Sequence, residues 1–198
     1  MIDITLPDGS VRNVEANTTS MDVALSISEG LARNVLAAVV NGEVVDASVP
    51  IKENASLQLL TWRDKDGQST MWHSSAHLLA EAIQFYYPDV KFAIGPPIAK
   101  GFYYDIDFLD HSFSENDLVK IETKMKELAK QKNVFEKKEV SKADAIEYFK
   151  KKQDPYKLEL LEDLEDGTIT FCDHDNFTDL CRGGHIPKIG RASCRERV

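Results

Sequence analysis

An α+β fold is the class that this sequence of 198 residues predicts. Two kinds of signal carry the prediction. Short apolar runs bounded by turn residues indicate strands, and apolar residues three and four apart behind capping residues indicate helices. A hydrophobic content of 42% with 29% charged residues is typical of a soluble globular chain, and no apolar run is long enough to span a bilayer.

Residues 1–61 predict a small β-grasp (ubiquitin-like) module. Their strand signals fall at residues 2–6, 11–14, 36–40, 43–46 and 57–62. Thr19 and Asp22 form a capping-box pattern, so a helix is expected behind them. The residues of this helix that are expected to face inward are Val23, Ala24, Ile27 and Leu31. Asn41 and Gly42 supply the positive φ angles that a two-residue hairpin turn needs.

A second, α+β domain is expected over residues 70–188, behind a polar linker at residues 62–69. A helix is predicted from near Thr70 to the residue before Pro88. Its expected apolar stripe is Trp72, Ala76, Leu79, Ile83 and Tyr86. Capping patterns predict two later helices, with Leu118, Ile121, Met125, Leu128, Ile146 and Phe149 facing inward. Further strand signals lie at residues 102–108, 134–140 and 168–172.

Two pairs of side chains with metal-binding or acid–base chemistry share one spacing. His73 and His77 lie in HSSAH, and Cys181 and His185 lie in CRGGH, with three residues between the members of each pair. Residues four apart lie on one face of a helix, so the two histidines can point into one space. The glycines of CRGGH allow a tight turn. If the fold joins the pairs, they form a pocket of three imidazoles and a thiol.

The residue types leave two kinds of chemistry open for such a pocket. Four protein ligands close a tetrahedral zinc site and make it structural, whereas a catalytic zinc keeps one position open for water. Without metal, a neutral histidine orients or deprotonates a water, and a nearby cation stabilises the oxyanion. Lys157 and Asp179 could supply charge. No HEXXH motif and no GxxxxGK[ST] motif occur, which argues against a zincin protease and a phosphate-binding loop.

Charge and cysteine content narrow the function classes. The formal net charge of −9 argues against a free-standing nucleic-acid binder, which is normally basic. The three cysteines, Cys172, Cys181 and Cys194, lack the spacing of a disulfide framework and predict a reducing, cytoplasmic location. The first residues lack the basic and apolar regions of a secretory signal.

The stretch Ile189–Val198 is expected to be non-native. Its sequence, IGRASCRERV, has neither helical nor strand periodicity, and a common DNA-sequencing adapter can encode it in frame. We therefore predict adapter read-through at residues 189–198, with a natural basic tail as the alternative. Resequencing of the parent DNA distinguishes the two.

Several longer motifs carry a family resemblance. ITLPDGS, MDVAL and VNGEVVD resemble the TGS domain. HSSAHLLAEAI, AIGPPIAKGFYYDID, DPYK and DLCRGGHIP resemble the editing domain at the N-terminus of bacterial threonyl-tRNA synthetases. The resemblance covers about residues 1–188 and implies hydrolysis of serine wrongly esterified to threonine tRNA. Serine lacks only the threonine methyl group, worth roughly 1–3 kcal/mol of discrimination, so a second sieve is needed.

The resemblance also implies roles for single residues. The residues at positions of the family's editing set are His73, His77, Lys157, Asp179, Cys181 and His185. Tyr104 is expected to form a wall beside the terminal adenosine or the amino acid. Gly184 stands where some relatives have proline, which is expected to loosen the turn.

Cofactors and partners follow from the same resemblance. Editing in bacterial relatives requires no metal, whereas the similar alanyl-tRNA synthetase editing domains hold zinc at HxxxH…CxxxH. The ATP and zinc sites of the full enzyme would lie beyond residue 188, so aminoacylation is not expected. The expected partner is the acceptor end of threonine tRNA mischarged with serine, and dimerisation is expected through the missing domains. A docking module without catalysis and a structural zinc domain are the alternatives.

Overall fold

The computed structural model describes residues 1–191, which form two compact units. Residues 1–72 and 184–187 make up the first unit, and residues 73–183 with the segment from Lys188 make up the second. Within the described range, no helix combines the length and the apolarity that crossing a bilayer requires. The predicted domain boundaries stay predictions.

The first unit is built on a five-stranded mixed sheet. Its strands are β1 (Ile2–Thr5), β2 (Val11–Val14), β3 (Ala37–Val40), β4 (Glu43–Val45) and β5 (Ala55–Leu60). They lie in the order β2-β1-β5-β3-β4, with β1 and β5 parallel and the other neighbours antiparallel. This arrangement confirms the predicted β-grasp module.

Two short helices, α1 (Ser20–Ile27) and α2 (Glu29–Asn34), accompany this sheet. The predicted capping box is present: the Asp22 N–H donates to the Thr19 hydroxyl at 3.1 Å, and the Thr19 N–H donates to the Asp22 carboxylate at 2.9 Å. The prediction that one helix reaches Leu31 was wrong. Extended Ser28 ends α1, and its side chain caps α2.

The break at Ser28 changes which side chains are buried. Val23 and Ala24 are buried as predicted, but Ile27 is exposed. The main core cluster of the unit is Ile2, Ile4, Val23, Ala38, Ile51, Ala55 and Leu57. At the hairpin turn, Asn41 and Gly42 have the predicted positive φ angles of 51° and 89°.

Helix α3 (Lys65–Tyr86) begins at Lys65 rather than near Thr70, so the second part of the predicted linker is helical. The Asp64 carboxylate accepts the Thr61 N–H at 2.8 Å, and this folds the polar stretch into a turn just before the helix. Ala76 and Ile83 of the predicted stripe are buried, whereas Tyr86 is exposed.

The second unit contains the C-terminal part of α3, small antiparallel sheets and further helices. Strand β6 (Lys91–Phe92) pairs with β9 (Ile106–Asp107), and β7 (Pro97–Ile98) pairs with β8 (Gly101–Phe102). The single strand predicted over residues 102–108 is therefore divided between β8 and β9.

A three-stranded antiparallel sheet carries the second half of this unit. Its strands are β10 (Glu136–Glu139), β11 (Thr170–His174) and β12 (Phe177–Leu180), in that order. The helices are α4 (Glu115–Gln131), α5 (Lys142–Lys151) and α6 (Pro155–Glu162). Helix α6 and the separate strand β12 were not predicted. One core cluster consists of Ala145, Phe149, Leu161, Ile169 and Phe171.

Leu118 was predicted to face inward but is 55% exposed. Asp117 takes the inward position in this turn of α4, because its carboxylate accepts the N–H and the hydroxyl of Ser114. Ile121 and Leu128 are buried as predicted.

The described part of the predicted tail begins with a 3-10 turn at Ile189–Arg191. Ile189 is buried, and its N–H donates to the carbonyl of Asn133 at 3.0 Å. Residues 192–198, with Cys194, lie outside the described residues. The adapter origin of the tail stays a prediction.

Gly67→Ala is expected to destabilise the first unit, because a Cβ at Gly67 would lie 2.1 Å from the carbonyl oxygen of Thr61. The matched control is Gly30→Ala in α2, where the nearest atom is the Ser28 hydroxyl at 3.9 Å. We expect Gly67→Ala to lower the free energy of unfolding by about 1–3 kcal/mol. Gly30→Ala should leave it unchanged or raise it by up to ~1 kcal/mol. Equal urea midpoints for both variants would contradict the close approach.

Candidate active site

His73 and His77 lie one turn apart on α3, as their spacing predicted. Their ring centroids are 5.1 Å apart, and the rings are nearly perpendicular at 77°. His73 is half-buried, whereas His77 is only 3% exposed. The helix therefore presents one histidine that solvent can reach and one that it cannot.

Cys181 follows β12 and reaches the first of these histidines. Its Sγ lies 3.4 Å from Nε2 of His73, and the Gly183 N–H donates to the same sulfur at 3.3 Å. Gly183 can bend back in this way because its φ is +96°, a conformation that favours glycine. The Cys181 N–H donates to the carbonyl of Thr170 in β11 at 3.0 Å, which fixes the backbone below the thiol.

These three residues form a set of nitrogen and sulfur donors. One ligand atom from each of His73, His77 and Cys181 lies within 4.8 Å of the others. Imidazole nitrogen and thiolate sulfur are ligands that zinc accepts. The same groups can orient and deprotonate a water. The geometry of the three thus fits either use that the sequence left open.

The environment of His77 favours its neutral form. Burial, followed by the charges of His73, His174 and Lys157, lowers the pKa of His77 well below its ordinary value of 6.5. An imidazole that is neutral at physiological pH keeps one nitrogen lone pair for a proton or a metal ion.

Lys157 and Asp179, predicted site residues from separate motifs, form a buried ion pair. Their Nζ and Oδ1 atoms are 2.6 Å apart, with side chains 3% and 6% exposed. Lys157 lies in the first turn of α6, where Asp154 is the N-cap and accepts the Lys157 N–H at 3.1 Å. Asp179 comes from β12. The pair thus joins α6 to the central sheet of the unit.

Tyr104 completes this group through its hydroxyl, which donates to Oδ2 of Asp179 at 2.6 Å. Burial, together with the charge of Asp179 and this hydrogen bond, raises the pKa of Tyr104 well above its ordinary value. The ring packs against Gly95, where a Cβ would lie 2.4 Å from the ring. Tyr104 is therefore a fixed, protonated phenol.

His185 lies in the short segment 184–187 that belongs to the first unit. It is 1% exposed, and its N–H donates to the Asp46 carboxylate at 2.7 Å. The Gly184 N–H donates to the same oxygen at 3.0 Å. Its membership of the predicted site stays a prediction, which its position four residues after Cys181 supports.

Two residues close to His77 were not predicted, Glu81 and His174. Glu81 follows His77 by four residues, as His77 follows His73. This spacing could have placed Glu81 on the same face of the helix from the sequence alone. His174 ends β11, and its ring centroid is 5.9 Å from that of His77. No local pattern distinguishes it from a histidine in a sheet core.

A cavity of about 540 Å³ lies next to the Lys157–Asp179 pair. Both residues line it, together with Phe92 and Phe177. Further lining residues are the lysines Lys91, Lys151 and Lys152. This cavity offers aromatic rings, lysine ammonium groups and the carboxylates of Asp89 and Asp154 next to the buried pair.

Lys157→Met is expected to lower the free energy of unfolding by about 3–5 kcal/mol, because it leaves the Asp179 carboxylate buried without its cation. Adding Asp179→Leu to this variant should restore part of the loss. The matched control is Lys151→Met, which breaks an ion pair with Glu147 whose side chains are 75% and 66% exposed. The control should cost less than about 1 kcal/mol by urea denaturation. Similar losses in both single variants would refute the buried pair.

The low pKa of His77 predicts a loss of stability in acid. As the pH falls through 6.5, the unfolded chain takes up a proton at this position and the folded chain does not. The unfolding free energy of the wild type should fall relative to His77→Phe by up to about 1.4 kcal/mol per pH unit. Urea denaturation at pH 7.5, 6.0 and 5.0 measures this difference. A difference that stays constant with pH would disprove the burial of a neutral His77.

Comparison with known proteins agrees with the fold and with the resemblance. Residues 2–61 match the TGS domain model. The chain is 64% identical over 190 residues to the threonine–tRNA ligase of Cytophaga hutchinsonii, which covers 96% of this chain and 30% of that protein. It is 53% identical to the enzyme of Flavobacterium psychrophilum, with 96% and 29% covered.

A third relative, the threonine–tRNA ligase of Parabacteroides distasonis, is 51% identical, with 94% of this chain and 29% of that protein covered. The chain therefore spans less than a third of the length of these curated relatives. This chain carries an N-terminal TGS domain and is homologous to the N-terminal part, about 30%, of the bacterial threonine–tRNA ligases.

Proposed function

We propose that this chain is the TGS and editing part of a threonine–tRNA ligase, and that it hydrolyses the seryl ester of threonine tRNA mischarged with serine. The observation that carries the proposal is the contact of His73 with Cys181 in the same unit as the Lys157–Asp179–Tyr104 group. The two groups are close enough to interact electrostatically. The charge of Lys157 contributes to the lowered pKa of His77, and Cys181 contributes to the raised pKa of Tyr104.

Hydrolysis of an ester needs an activated water and a stabilised oxyanion. In our proposal a nitrogen of His73 accepts a proton as water attacks the seryl carbonyl. The Nζ of Lys157 uses one of its three hydrogens on Asp179 and can direct another to the oxyanion. The bond from carbon to the ribose oxygen then breaks, and the proton passes to that oxygen. The products are serine and a free tRNA hydroxyl.

In the proposal, a rigid wall of the pocket selects serine over threonine. Tyr104 is held by its hydrogen bond to Asp179 and by its close packing on Gly95. A wall that cannot move excludes a larger ligand more strongly than a mobile one, because the cost of a clash is not relieved. Tyr104 is therefore proposed as the wall that admits serine and excludes the additional methyl group of threonine.

His185 is proposed as the fourth member of a catalytic set whose other members are His73, His77 and Cys181. It follows Cys181 by four residues, so chain length alone keeps their Cα atoms within about 14 Å of each other.

The partner, threonine tRNA, and a cytoplasmic location belong to the same proposal. The proposal also includes the domain limits 1–61 and 70–188. It further includes dimerisation through the parts of the relatives that this chain does not cover.

A structural zinc site is the second candidate, which the donor set of His73, His77 and Cys181 favours. These residues and His185 would hold the ion. Four protein ligands would complete its tetrahedron, so the ion would contribute stability, not an activated water. The third candidate is a docking module, which would bind threonine tRNA without hydrolysing its ester.

The deacylation test compares seryl and threonyl esters of threonine tRNA. We expect the purified chain to release serine and little threonine, and Cys181→Ala or His73→Ala to lower serine release by about 10²-fold, the usual contribution of an acid–base group. The matched control is Cys172→Ala, which removes the other buried thiol among the described residues and should change the rate less than threefold. Equal hydrolysis of both esters contradicts the size selection, and tRNA binding without hydrolysis indicates the docking module.

Metal analysis separates the editing proposal from the structural zinc site. We expect the purified chain to contain much less than one equivalent of zinc, and its melting temperature to be unchanged by a chelator. One equivalent of zinc, with unfolding of the wild type by chelator and no zinc in Cys181→Ala, would establish the structural site instead.

A further inference from the structure

Glu81 and His174 form a buried polar contact that the proposed chemistry does not use. Oε2 of Glu81 lies 2.9 Å from Nδ1 of His174, and the side chains are 7% and 0% exposed. The contact is short but does not have the geometry of a directed hydrogen bond. Apolar residues of similar volume would stabilise a core at least as well as such a buried polar pair does.

This contact lies directly behind His77. Glu81 follows His77 by one turn of α3, and the centroid of the His174 ring is 5.9 Å from that of His77. Phe135 packs against both histidines, with centroid distances of 6.2 Å to His77 and 4.8 Å to His174. Phe177 does the same at 5.8 Å and 5.3 Å. With His73, whose centroid is 5.1 Å away, four rings therefore surround that of His77. Of the two polar ones, His73 is half-buried and His174 is buried.

The orientation of a histidine ring depends on such neighbours. The χ2 torsion of histidine is broad and roughly two-fold, so the side chain does not select by itself which ring nitrogen faces a given direction. Packing and polar contacts around the ring make that selection. The groups that hold His174 therefore also limit the rotation of His77.

We propose that Glu81 and His174 are positioning residues that hold the His77 ring in the orientation used for ester hydrolysis. This inference rests on the proposed editing function. Glu81 holds the His174 ring, and His174 forms one wall against His77. Neither residue is assigned a contact with the substrate, so their loss should lower kcat and leave KM unchanged.

Substitutions of Glu81 separate positioning from simple packing. Glu81→Leu keeps the volume and removes the oxygens, and we expect it to lower kcat for seryl-ester hydrolysis about tenfold. Glu81→Gln keeps an oxygen at the same distance and should retain at least half of the wild-type kcat. His174→Phe should resemble Glu81→Leu. KM should stay within twofold in all three. If the pair served packing alone, Glu81→Leu would be as active as the wild type.

The matched control is Asp117→Leu, which removes another mostly buried carboxylate of the second unit, on α4. Its kcat should stay within twofold even if its melting temperature falls. All rates are normalised to the folded fraction measured by circular dichroism. A normalised kcat of Glu81→Leu within twofold of the wild type overturns the proposal, as does a loss of kcat in Asp117→Leu of the same size.

Imidazole ¹⁵N NMR at a fixed pH of 7.5 gives a readout that does not need activity. The His77 signals, assigned with His77→Gln, should show one tautomer in the wild type and a changed or broadened pattern in Glu81→Leu. If the wild type hydrolyses no ester, the proposed function fails and the NMR comparison alone decides. Unchanged His77 signals in Glu81→Leu then overturn the positioning role, and changed signals support it.

Discussion

A buried lysine requires a buried anion, and the contact between Lys157 and Asp179 is the constraint on which the second unit depends. It ties three distant segments together: the first turn of α6, strand β12, and the chain between β8 and β9 through the hydroxyl of Tyr104. Because each charge needs the other, a shift of α6 or β12 would expose one ion or leave it without its partner. A shift of the Tyr104 segment would remove a hydrogen bond from the Asp179 carboxylate.

This framework also sets the positions of the residues in the proposed site. Residues two apart on an extended chain point to the same face, so Asp179 and Cys181 project to one side of β12 and its continuation. Helix α3 supplies the histidines through its own periodicity. The Asp179 carboxylate, the Cys181 thiol and the two imidazoles of α3 thus come from one strand with its continuation and one helix. Regular elements are more rigid supports than loops.

Local patterns predicted much of this structure. The capping box at Thr19, the hairpin at Asn41 and Gly42, and the shared face of His73 and His77 all depend on residues a few positions apart. The contact of Glu81 with His174 and the bond of Tyr104 to Asp179 join residues that are far apart in sequence, and no periodicity encodes them. Leu118 shows the reverse case: the apolar stripe was correct further along α4, but a capping carboxylate displaced it in the first turn.

The carboxylate of Asp46 has a consequence for the order in which the chain acquires structure. It accepts N–H groups of Gly184 and His185, whose sequence separations from it are 138 and 139 residues. On the ribosome, the five strands of the first unit emerge and can pair long before these partners exist. The segment 184–187 is then the last part of that unit to dock, after nearly all of the second unit has been translated. The His185 imidazole therefore becomes ordered only after residues 73–183 have been translated, and a nascent chain has a folded TGS sheet well before it has all the residues of the proposed site.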